Sequence, residues 1–96
     1  MQIEKLLEVA AEYKIAMLKA DEMSIIGYHQ IHNFEKDAFH IYDEEVFKQI
    51  IGNRPYKIRK RVTDELYDYT VKINDYHFFC VTEALLFEGD EKYVQV

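Results

Sequence analysis

The sequence predicts an α+β fold in the order α-β-β-α-β-β-β, with two helices packed on one face of a mainly antiparallel meander sheet of four to six strands. Three observations carry this. Apolar residues recur every three or four positions over residues 2–20, a well-capped helical segment fills 44–51, and the apolar period becomes two after Pro55. All 96 residues read as a single α+β domain, with no repeat and no linker. The composition, 49% apolar and 31% charged, is that of a globular chain, not a disordered one.

In the first helix, Ile3, Leu6, Leu7, Ala10, Tyr13, Met17 and Ala20 form the apolar stripe, and no Gly or Pro interrupts it. Glu4, Glu8 and Glu12 lie on one ridge of this helix at i, i+4 spacing. That ridge reads either as a solvated face suited to the helix dipole or as a contact for a basic partner. Residues 23–34 are extended, with a bulge expected at Gly27, and Phe34–Ala38 turns into a second short strand at Phe39–Tyr42.

Asp43 is placed to cap the second helix, Glu44 and Glu45 suit its positive end, and Tyr42 with Phe47 is spaced for a hydrophobic staple. Gly52 and Pro55 end it. Strands are then predicted at 56–62, 66–73 and 76–83. Asn74-Asp75 closes a hairpin in which Ile73 faces Tyr76, Val71 faces Phe78 and Tyr69 faces Cys80. Pairing Val62 with Tyr67 would put Arg61 opposite Asp68. Lys92–Val96 supplies an extra C-terminal strand.

The net charge of −6 is unevenly spread. Residues 54–61 hold five bases and no acid, while the flanking regions are both acidic. An acidic chain is not expected to bind duplex DNA directly and favours a protein partner with a basic surface. Within the basic strip, Lys57, Arg59 and Arg61 point to the outer face of the sheet with His77. They read either as charges guarding an edge strand or as an anion-binding set for a phosphate or nucleotide. Phe79 and Val81 fall on the same outer face. As apolar residues there they call for cover by segment 84–96 or for a docked partner.

Catalytic chemistry finds no support. The lone Cys80 points inward, Ser24 lies in no nucleophile motif, and no glycine-rich phosphate loop exists. His29 and His32 have zinc-like spacing, but on a strand they project to opposite faces, and His40 and His77 supply no second spaced pair. The expectation is therefore a non-enzyme without metal or cofactor. No apolar run is long enough to cross a membrane, and the N-terminus does not read as a signal peptide, so a cytoplasmic location is expected.

Short, acidic, motif-free and rich in Lys, Glu, Ile and Tyr, the chain resembles small accessory proteins of phages and mobile elements. The resemblance is one of texture and transfers no residue role. It implies an acidic inhibitor that blocks a cationic nucleic-acid-binding surface, as anti-defence and anti-CRISPR proteins do, acting in the host cytoplasm. Glu4, Glu8, Glu12, Asp43, Glu44 and Glu45 would be its contacts. The alternatives are a homo-oligomer that sequesters a small anion through Lys57, Arg59, Arg61 and His77, and a structural phage component. Monomer and homodimer both stay open.

Overall fold

The structure, a computed structural model, describes residues 2–29 and 38–95. It contains α1 (Ile3–Glu22), β1 (Ile25–His29), β2 (Ala38–Ile41), α2 (Glu44–Ile51), β3 (Tyr56–Lys60), β4 (Tyr67–Ile73), β5 (Tyr76–Thr82) and β6 (Val94–Gln95). A short 3-10 turn spans Asp90–Lys92. The six strands form one mixed sheet in the order β1-β2-β5-β4-β3-β6. The β2–β5 and β3–β6 pairs are parallel and the rest antiparallel. This is an α+β fold with the predicted element order. The turn expected at Phe34–Ala38 falls largely outside the described residues.

Local chemistry explains the elements. Asp43 caps α2, its Oδ1 accepting from the amides of Glu45 at 2.9 Å and Val46 at 3.2 Å. Gly52 ends the helix at φ +52°, a conformation that an L side chain rarely adopts. Arg54 Nη1 reaches back to the Ile50 carbonyl at 2.9 Å. The bulge expected at Gly27 is present as a register shift between Ile25 and Gly27. The β4–β5 hairpin turns on Asn74 at φ +56° and has the predicted register, including Tyr69 opposite Cys80.

One face of the sheet holds the core. Ile41, Phe47, Ile51, Ile58, Tyr69, Val71 and Cys80 are buried together, with α2 laid across them. The C-terminal segment joins from the same side, where Leu85, Leu86, Phe87 and Val94 pack against the cluster.

Five details differ from the sequence reading. The staple is not the use made of Phe47, which is fully buried edge-on to Tyr69 while Tyr42 stays 53% exposed. The β3–β4 register is two residues away from the expected one, with Lys60 opposite Tyr67 and Arg59 opposite Asp68. The reason is a longer connection. Leu66 N donates to Asp64 Oδ1, Glu65 takes φ +61°, and Arg61 N bonds to the Leu66 carbonyl. A two-residue shift keeps every side chain on its face, so the facial assignment survives. Strand β3 is also not an edge, because β6 pairs beside it at Ile58–Val94. Residues 85–94 cover the inner face, not the outer one, through Leu85, Leu86, Phe87 and Val94.

The fifth difference is the largest. Only α2 lies across the sheet face. Helix α1 has no buried residue and meets the sheet chiefly at β1. It is fastened at its C-terminal end, where Ser24 is buried at φ +64° and its carbonyl accepts from Tyr42 N at 3.1 Å. From there it runs outward. The molecule measures 54 × 26 × 23 Å, and its radius of gyration is 15.9 Å. A compact chain of this length would have about 12.5 Å.

Candidate functional site

The stripe read from the sequence is intact on α1, but it faces solvent. Ile3, Leu6, Leu7, Val9, Tyr13 and Met17 are each between 47% and 66% exposed. Residues 3, 10 and 17 recur every seven, as do 6, 13 and 20, so the stripe follows a heptad pattern with Val9 and Ala16 on its flank. Glu4, Glu8 and Glu12 occupy the other side of the helix and are exposed. At 1.5 Å per residue the stripe runs for about 26 Å. A soluble helix ordinarily buries such a face, and an isolated helix of this length is marginal in water.

The acidic residues do not form one surface. The Glu4–Glu12 ridge lies on the half of α1 away from the sheet, whereas Asp43, Glu44 and Glu45 sit at the start of α2. There Asp43 is committed to its capping bonds, and Glu45 Oε1 lies 3.2 Å from Lys48 Nζ.

The outer face collects the cations and places an acid among them. In register, Lys57 lies opposite Thr70 and Arg59 opposite Asp68, with Phe79 and Val81 the next residues across. Arg61 turns onto Asp64 at 3.2 Å and Asp68 at 3.9 Å. Lys57, Arg59 and His77 each engage neighbours as well. His77 shares this face but sits two strands from β3, roughly 10 Å laterally. Lys60 points to the inner side, 5.8 Å over the Tyr67 ring.

Phe79 is not an exposed contact. It is 3% exposed, and the His40 ring stacks on it at 4.4 Å between centroids. Val81 is half-buried. Beside Phe79, Thr70 Oγ1 has no hydrogen-bond partner among the described residues.

No cluster of three or more potential metal ligands occurs among the described residues, and His32 lies outside them. Cys80 is buried, and burial, with Glu44 and Asp43 nearby, pushes its thiol up to about 12. Such a thiol is not a nucleophile near neutral pH.

The sequence reading missed Asp90. This buried carboxylate accepts from Tyr56 Oη at 2.6 Å, Tyr69 Oη at 2.5 Å and the Phe87 amide at 3.1 Å. Tyr69 Oη in turn accepts from Leu86 N at 2.8 Å. Burial and the adjoining carboxylate push the Tyr56 hydroxyl up to about 12 and the Tyr69 hydroxyl higher still. The network ties the C-terminal segment to the sheet. Two inward-facing tyrosines were its signal, since buried phenols need polar partners.

No protein-family model, curated protein or solved structure matches the chain. Among the described residues, no helix is long and apolar enough to cross a membrane.

Proposed function

We propose that this protein is a non-enzymatic binding module whose interface is α1. One observation carries the reading: a 20-residue helix presents an apolar stripe along its length and buries none of it. Covering that stripe with another polypeptide gains about 25 cal/mol for each Å² of apolar surface removed from water. The Glu4, Glu8 and Glu12 ridge on the opposite side favours encounter with a basic surface, as expected of an acidic inhibitor of a nucleic-acid enzyme. The inert Cys80 and the pairing of Arg61 with Asp64 and Asp68 support a binding role over a catalytic one.

The test is affinity capture from host lysate with three forms of the protein. These are wild type, a stripe variant carrying Leu6→Glu and Tyr13→Glu, and a ridge variant carrying Glu4→Lys, Glu8→Lys and Glu12→Lys. The stripe variant should lose whatever polypeptide the wild type retains, and the ridge variant should weaken retention in a salt-dependent way. Equal retention by wild type and stripe variant would contradict the proposal.

A further inference from the structure

Resting on the reading that the α1 stripe is an interface, we propose that its occupant is α1 of a second copy, paired antiparallel. The heptad pattern favours this partner. In an antiparallel pair, each residue at the first heptad position meets one at the fourth position of the other helix. For α1 one register does this throughout, bringing Ile3 against Ala20, Leu6 against Met17 and Ala10 against Tyr13 of the other copy. Larger side chains meet smaller or more flexible ones at each level. A parallel pair would stack Tyr13 on Tyr13, and Ala10 on Ala10 and Ala20 on Ala20, leaving gaps on either side of a bulge.

Charge and dimensions agree. In this register Val9 flanks Ala16, and the Lys14 stem lies along Leu7, so no like charges face each other across the seam. The helix dipoles oppose, and both Glu4–Glu8–Glu12 ridges remain in water. The two sheets, attached at the C-terminal ends of their helices, fall at opposite ends of the pair. Two stripes about 26 Å long remove on the order of 1,000 Å² from solvent, the lower bound for a specific interface.

Sedimentation velocity of the purified protein over a concentration series, with disulfide trapping, tests this. Wild type should form a dimer, and Leu6→Glu with Tyr13→Glu should raise its dissociation constant by about 100-fold or more. The variant's sheet should keep its thermal transition, since Leu6 and Tyr13 are both exposed within their own chain. Mixed copies carrying Leu6→Cys and Met17→Cys should crosslink to each other, whereas Leu6→Cys copies alone should not, their thiols lying roughly 16 Å apart along the axis. A wild-type monomer, a dimer indifferent to the stripe variant, or self-crosslinking of Leu6→Cys would each overturn the proposal. A wild-type monomer whose stripe variant loses a captured partner would overturn the self-pairing alone. Stripe variants that change neither measurement would overturn the interface reading with it.

Discussion

The hydroxyl of Tyr69 lies 2.5 Å from Oδ2 of Asp90, twenty-one residues further along the chain. With Tyr56 on the other carboxylate oxygen, this contact fixes the C-terminal segment over the inner face of the sheet. The core is therefore completed by chain that follows the last hairpin, and α1 is left outside it.

Asp90→Ala should cost about 3 kcal/mol of stability, because it strands two tyrosine hydroxyls and a backbone amide. Tyr56→Phe, which removes one of the two phenol donors, should cost about 1 kcal/mol. Urea titrations of the three proteins check both values, and equal midpoints would refute the role given to Asp90.

Alkaline pH should weaken the same network. Tyr56 has its ordinary value near 10 in the unfolded chain and about 12 when folded, so folding favours the protonated phenol. Its contribution is full below pH 10 and is lost as pH rises from 10 towards 12. Tyr69 shifts in the same direction. Thermal melting across that range should show a fall in midpoint that is smaller in Tyr56→Phe.

The cap of α2 should follow ordinary helix chemistry. Asp43→Ala should cost about 1 kcal/mol, from the loss of its bonds to Glu45 N and Val46 N. Gly52→Ala should cost a similar amount, about 1 kcal/mol, since an L residue is strained at φ +52°. Chemical denaturation measures both.

The two helices should respond oppositely to the loss of an apolar side chain. Phe47→Ala on α2 opens the core and should cost about 3–5 kcal/mol. Leu7→Ala on α1 removes a side chain that is 63% exposed and should move sheet stability by less than about 0.5 kcal/mol. A large loss in Leu7→Ala, measured on dilute monomer, would mean that α1 folds back onto its own sheet.

Much of the fold was legible because its signals are local. Asp43 and Gly52 bracket α2, Asn74-Asp75 sets the hairpin register, and alternation assigns Tyr69, Val71 and Cys80 to the inner face. Non-local facts were not. A heptad-spaced stripe looks the same whether it meets its own sheet or another molecule, so the sequence reading laid α1 on the core. The β3–β4 register depended on how Asp64 and Glu65 shape the connection, and alternation is blind to a shift of two. Asp90 carries no local signal of its role because its partners, Tyr56 and Tyr69, are 34 and 21 residues away. Phe79 looked exposed because no local pattern predicts the parallel β2–β5 pairing that brings His40 onto it.

Hydrogen exchange of the α1 amides, followed from dilute to concentrated protein, tests most directly whether this helix is an interface and not part of its own core. In dilute solution the amides of residues 6–20 should exchange far faster than those of β4 and β5, and protection should rise with protein concentration or on adding a bound partner. Protection of α1 in dilute monomer equal to that of β4 would contradict the account, since the stripe would then be buried within its own chain.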